Sequence, residues 1–206
     1  MYYRSIFIAA LIALPLSVSA NPVSFKDGYG IMPTYTPDWS DYKINYSLAK
    51  DSAFGASIFY RNGDKHKATF NIMQYNYLFK RWNELDSQAN IYGSIGVGTR
   101  DSEVAGYGAL EADYETRRIY TLIAAENLQS ANAVSFTQIK TRLGFSPYKA
   151  SFDKLQTWLI TEFDYMPEMK DELTVTPLVR LFYNNYAVEL GSSLQGKFFL
   201  AGMIHF

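Results

Sequence analysis

Apolar and polar residues alternate with a period of two along most of the chain, and that pattern limits what it can fold into. In "DYKINYSLAK", Tyr42, Ile44, Tyr46 and Leu48 fall on one face, and Lys43, Asn45 and Ser47 on the other. "NAVSFTQIKTRLGF" sets Ser135, Thr137, Ile139, Thr141, Leu143 and Phe145 against Gln138, Lys140, Arg142 and Gly144. "KLQTWLITEFDY" sets Leu155, Thr157, Leu159, Thr161, Phe163 and Tyr165 against Gln156, Trp158, Ile160, Glu162 and Asp164. "NYAVELGSS" sets Tyr186, Val188 and Leu190 against Ala187, Glu189, Gly191 and Ser193. Side chains of a strand point alternately to its two faces, so each segment is a strand with one apolar and one wet face.

Turn residues punctuate these strands at short intervals. They occur at "KDS" (50–52), "RNGD" (61–64), "NELDS" (83–87), "RDSEVAG" (100–106), "ETRR" (115–118), "QSAN" (129–132), "SPYKAS" (146–151), "MPEMKDE" (166–172), "NN" (184–185) and "SLQGK" (193–197). Asn62-Gly63 is the strongest hairpin cue among them. Strands are expected near 42–49, 53–61, 66–80, 88–99, 106–115, 118–127, 133–145, 153–166, 172–183, 186–193 and 197–206. "YGIMPTYT" at 29–36 adds a twelfth, although Pro33 cannot donate to a ladder. Pro177 suggests a bulge in the 172–183 strand for the same reason. Between 66 and 80, Asn71, Gln74 and Asn76 fall on both faces, which implies a bulge or a strand longer than a bilayer needs. With twelve strands, "KDS", "NELDS", "ETRR" and "NN" lie at one end, and the somewhat longer "RNGD", "RDSEVAG", "QSAN", "MPEMKDE" and "SLQGK" at the other.

The first twenty residues are set apart from this pattern. "MYYRSIFIAALIALPLSVSA" has Arg4, an apolar run from Ile6 to Leu16 and small residues ending at Ala20. It reads as a secretory leader removed before Asn21. The chain has no cysteine, so the remaining domain, 21–206, relies on neither disulfides nor a lipidated mature terminus. A net charge of -1 argues against a nucleic-acid partner on electrostatic grounds. No apolar run after the leader is long enough for a membrane helix.

Alternation alone does not say whether the apolar face points in or out. Aromatics stand near strand ends, at Tyr42, Tyr60, Phe79, Trp82, Tyr92, Tyr107, Tyr114, Phe145, Tyr165, Tyr183 and Tyr186, where girdles at two lipid–water boundaries would need them. The polar faces hold Gly, Ser, Thr, Asn and isolated charges rather than dense Lys and Glu. The last strand places Phe198, Leu200, Gly202, Ile204 and Phe206 on one face and ends on Phe206. It resembles the C-terminal sorting strand of bacterial outer-membrane β-barrel proteins, departing at Gly202, where a larger residue is usual. The resemblance implies a transmembrane antiparallel up-and-down β-barrel, to which the strand reading above gives ten to twelve strands, twelve preferred. It also implies the outer membrane of a Gram-negative bacterium as location, its lipid as surroundings, and an assembly machinery that reads Phe198, Leu200, Ile204 and Phe206. It carries no substrate.

In such a barrel the wet face lines the lumen. The charges assigned there are Lys43, Glu111, Asp113, Lys140, Arg142, Glu162, Asp164, Arg180 and Glu189, of both signs. They suit either a narrow channel for a small polar solute or a paired network that fills a structural barrel. Two other functions stand as alternatives. An outer-membrane lipid-modifying enzyme would need a His–Ser pair near a strand end. His66 has Ala68 two residues on, Ser57, Ser94 and Ser135 have no assigned place beside it, and His205 sits opposite Phe206. A soluble periplasmic barrel binding a hydrophobic ligand would reverse the faces. "YGSIGVGTR", with Gly93, Gly96 and Gly98, lacks the following helix of a nucleotide loop and suits strand curvature or close packing instead. Neither a cofactor nor a metal site is suggested by the residues.

Overall fold

The computed structural model describes residues 21–62, 67–100, 103–130, 136–151 and 154–206. The leader, His66 and Ser135 lie outside the described residues. The twelve strands are β1 (Tyr29–Tyr35), β2 (Trp39–Ala49), β3 (Ser52–Arg61), β4 (Ala68–Asn83), β5 (Ser87–Arg100), β6 (Glu103–Thr116), β7 (Ile119–Ser130), β8 (Phe136–Phe145), β9 (Gln156–Tyr165), β10 (Leu173–Tyr183), β11 (Tyr186–Ser192) and β12 (Phe198–His205). Each is antiparallel to its neighbours in sequence, and β12 pairs with β1, so the sheet closes on itself. A closed sheet leaves no edge strand, which is what a β-structure in lipid requires.

The faces are the reverse of a soluble barrel. Met73, Ile95, Val97, Val104, Leu110 and Leu159 are exposed on the outside. Arg142, Glu162, Asp164, Arg180 and Glu189 are buried inside. This arrangement rules against the soluble periplasmic alternative, since water would meet a continuous apolar wall.

Several details differ from the expectations above. Tyr92 and Tyr107 point into the lumen and belong to no girdle. Their hydroxyls explain it, for Tyr92 accepts from Arg81 at 3.1 Å and Tyr107 donates to Glu126 at 2.7 Å. Pro177 causes no bulge, because it stays in register with Thr161 of β9 and lies one residue past the last pairing with β11, Leu178 with Gly191. β2 starts at Trp39, earlier than expected, because Thr36 closes a tight turn whose hydroxyl accepts from the Trp39 amide at 3.0 Å. β5 and β6 run on to Arg100 and Glu103, which face each other across the ladder, so the expected 100–106 loop shrinks to 101–102. β4 combines both features considered for it. It spans 16 residues, more than the roughly 10 a bilayer needs, and its register shifts between Leu78 and Lys80.

The chain termini share one end of the barrel with the connections at 50–51, 84–86, 117–118 and 184–185. The longer stretch from β8 to β9 also lies there, against the expected trend of short turns. Arg118 holds it to the rim, donating to the carbonyls of Ser146 at 3.2 Å and Pro147 at 3.1 Å.

The seam between β1 and β12 has a local irregularity. Gly30 pairs with His205 and Thr34 with Ala201, but Met32 and Pro33 have no partner in the register. Pro33 falls opposite Gly202, and a Cβ on Gly202 would meet the Pro33 ring at 3.5 Å. The small residue in the last strand thus faces the one seam residue that cannot donate. Below it, Tyr29 and Phe206 exchange two backbone bonds, at 2.6 and 3.0 Å, and their rings stack at 5.7 Å. Deleting Phe206 removes both bonds and the ring contact, at about 1 kcal/mol net per bond and about 1 kcal/mol for the aromatic pair. The folded band in heat-modifiable gel migration should therefore be lost at lower temperature than in the parent, with no lumen residue altered.

Candidate functional site

The lumen is lined by every second residue of each strand, and register decides which of them meet. On one wall, Arg142 of β8 stands beside Glu162 of β9, and Arg180 of β10 beside Glu189 of β11. Arg142 donates from Nε to Glu162 Oε2 at 2.7 Å and from Nη1 to Glu189 Oε1 at 3.1 Å. Arg180 donates from Nε to the same Glu189 oxygen at 2.6 Å and lies 4.6 Å from the Tyr120 ring centre. All four charged groups are buried, so the pairing is what makes their ionised forms tolerable.

A second group bridges the lumen. Lys43 of β2 contacts Asp41 on its own strand at 2.9 Å and Glu126 of β7 at 3.4 Å. β2 and β7 are five strands apart around the sheet, so this pair is a strut across the interior rather than a contact along the wall. Glu126 and Asp41 were absent from the sequence-derived charges. Glu126 shares its face with Tyr120, Leu122, Ala124 and Leu128, an apolar company that hid it, although Ile119 and Ile123 outside gave the phase.

The other assigned charges are distributed around these groups. Lys140 lies 5.4 Å from the Trp39 ring centre. Asp164 accepts from Gln138 at 2.7 and 2.9 Å. Asp113 accepts from Asn90 at 2.8 Å, and Arg81 donates to Asn90 at 2.6 Å. Glu111 lines the central cavity. Amide groups continue the polar surface, for Asn76 donates to Asn45 at 2.9 Å and Gln74 donates to Asn76 at 3.0 Å. Gly55 makes room for this ladder, since a Cβ there would come within 2.2 Å of Asn45 Oδ1. Gly96 and Gly98 likewise let β5 lie close on β4, where a Cβ would meet the carbonyls of Met73 and Asn71. His205 is an inward-facing residue at the terminus end.

These groups enclose a cavity of about 150 Å³ between Trp39, Lys43, Tyr107, Glu126, Gln138 and Lys140. That is room for about five waters. Toward the end away from the termini the lumen is filled by Trp39, Phe59, Phe70 and Phe136, with Phe59 and Phe136 centred 4.4 Å apart. Met166 and Met169, from the connection between β9 and β10, pack onto this cluster. That connection is fixed from two sides, by the Thr137 amide donating to Glu168 at 3.1 Å and by an ion pair of Lys197 with both Asp171 and Asp38. The aromatic cluster was not foreseen, because Phe59 stands between Ile58 and Tyr60, where both faces carry apolar or aromatic residues.

The fold and this interior define an outer-membrane-type barrel with a charged, narrow lumen. No protein-family model matches the chain, and no curated protein matches it in sequence. Among solved structures it is similar to the KdgM porin, with a TM-score of 0.53 and 10% identity over 87% of this chain and 98% of that one. A KdgM porin in complex with disordered oligogalacturonate matches to the same extent. At such identity the likeness is one of fold.

Two outcomes follow from the geometry. Arg142→Met strands Glu162 in the wall and should cost about 3–5 kcal/mol, read as a lower midpoint of denaturant unfolding. Adding Glu162→Gln should recover part of that loss. At the mouth, the hydrogen bond from Lys197 holds the Asp171 carboxyl below its usual range. A lowered carboxyl stabilises above its ordinary range and loses that contribution as pH falls through the lowered value. Protection from hydrogen exchange over 166–172 should therefore be greater in the parent than in Asp171→Asn above about pH 4, the two becoming equal under more acid conditions.

Proposed function

We propose that the chain is an outer-membrane channel for small polar solutes in a Gram-negative bacterium, closed in the state seen here. The observation that carries this reading is the polar cavity at mid-lumen, spanned by the Lys43–Glu126 strut and lined by amides and charges of both signs. A solute with both donor and acceptor groups can take over the bonds that the strut makes, which a purely apolar filling would not allow. Lys43, Glu111, Asp113, Lys140, Arg142, Glu162, Asp164, Arg180 and Glu189 are then the pore charges, with Asp41 and Glu126 added to them. The neighbour's complex with oligogalacturonate supports a polar cargo.

On this reading the leader is removed before Asn21 by the export pathway. Phe198, Leu200, Ile204 and Phe206 form the strand that the assembly machinery reads, and outer-membrane lipid surrounds the apolar wall.

Glu126→Ala cuts the strut while leaving Lys43 paired with Asp41. In planar bilayers it should raise single-channel conductance several-fold over the parent. If neither the parent nor this variant conducts, while both show folded migration, the paired network is a structural filling and the channel reading fails.

A further inference from the structure

The residues that precede β1 do not lead away from the barrel. Asp27 adopts φ 62°, and the Gly28 amide donates to the Phe25 carbonyl at 3.0 Å, forming a tight turn. The chain before it turns inward at the terminus end. Val23 is fully buried against Ala53, Leu78 and Tyr92, all inward-facing. The Ser24 amide donates to Ser47 Oγ at 2.9 Å, and the two hydroxyls lie 3.1 Å apart. Pro22 lines the same cavity as Lys43, Glu111 and Glu126. Asn21 is only 7% exposed.

One strand of the wall at that end is acidic. Glu111, Asp113 and Glu115 follow one another at alternate, inward positions of β6. Glu111 Oε1 and Asp113 Oδ2 are buried without a hydrogen-bond partner. Among the described residues Glu111 makes no salt bridge. A buried carboxylate oxygen left unpaired is costly, and Pro22, next to Asn21, lines the same cavity as Glu111.

We propose that the mature N-terminus is the lumen's own ligand. Residues Asn21–Ser24 plug the terminus end, and the α-ammonium of Asn21 is the counter-charge for Glu111. The proposal rests on the channel reading and on leader removal before Asn21. Hydrolysis of the peptide bond there leaves a carboxylate on the leader and an ammonium on Asn21. An uncleaved chain would bring only a neutral amide to the same place. Seating of the plug is thus tied to maturation. Val23 supplies the apolar knob, the Ser24–Ser47 bonds fix its depth, and the ammonium supplies the charge that Glu111 lacks.

The chain has no cysteine, so single thiols report on seating without background. In mature protein isolated from outer membranes, Pro22→Cys should react with a membrane-impermeant maleimide at least tenfold more slowly than Lys50→Cys, which lies in an exposed turn at the same end. Adding Val23→Asp, or the milder Val23→Ser should the first not fold, should abolish that protection and raise conductance. The α-amine itself is followed by reductive methylation with formaldehyde and mass spectrometry of the N-terminal peptide. It should react about tenfold faster in Glu111→Gln than in the parent. Equal labelling of Pro22→Cys and Lys50→Cys overturns the plug. Equal methylation in parent and Glu111→Gln overturns the ion pair. Protection at both positions, with no conductance from any folded variant, upholds the seat and overturns the channel reading beneath it.

Discussion

A strand in lipid can place its backbone N–H and C=O groups only on another strand, and each group left over costs several kcal/mol. The whole architecture depends on satisfying that demand at the seam. β1 is short and contains Pro33, so it is the strand least able to supply donors. The seam tolerates this by setting Pro33 against Gly202 and by placing mutual bonds between Tyr29 and Phe206 at its base. Because β1 and β12 must both be ordered at one rim, the residues just before β1 are delivered to that rim as well. The inward turn at Asp27 follows from where closure leaves the chain.

Closure also dictates what fills the interior. With apolar side chains turned outward, the alternate residues are confined to a narrow lumen in which charge is tolerable only when paired. Two kinds of pair result. Arg142 with Glu162, and Arg180 with Glu189, are cross-strand neighbours, so the register itself holds them together. Lys43 with Glu126 joins distant strands and is held only by the length of two side chains. The wall pairs stiffen the barrel. The strut is the contact that can open without disturbing a ladder.

Much of this was legible in the sequence, and the limits have physical causes. Period two gave the strands and the faces of Lys140, Arg142, Glu162, Asp164 and Glu189, because one-residue shifts would expose every one of them to lipid. It failed where both faces carry the same kind of residue. Phe59 lies in an apolar run, and Glu126 among alanines and leucine, so their phase had to come from neighbours. Tyr92 and Tyr107 were assigned outward because a tyrosine suits a lipid boundary. Their hydroxyls found polar partners inside, which composition cannot show. Pro177 suggested a bulge, yet a proline needs none where pairing with the adjoining strand has already ended. The pairing across the lumen, and the turn that sends Val23 inward, depend on barrel diameter and on the bend at Asp27, neither of which a periodic pattern encodes.

The character of the strut bears on what could pass. An apolar filling of similar volume is often as stable as buried ion pairs or more so, so a barrel serving only as scaffold gains nothing from Lys43, Glu126 and a cavity of about 150 Å³ between them. A solute that separates the two must replace what each loses. Lys43 keeps the ion pair with Asp41, whereas among the described residues Glu126 keeps a hydrogen bond from the Tyr107 hydroxyl alone. The greater loss falls on the carboxylate, which requires a donor. A solute offering only negative charge would satisfy Lys43 and leave Glu126 stranded beside it. On the proposed channel reading, one carrying hydroxyl or ammonium donors together with acceptors satisfies both, so the strut would discriminate by the balance of hydrogen-bonding groups as well as by size.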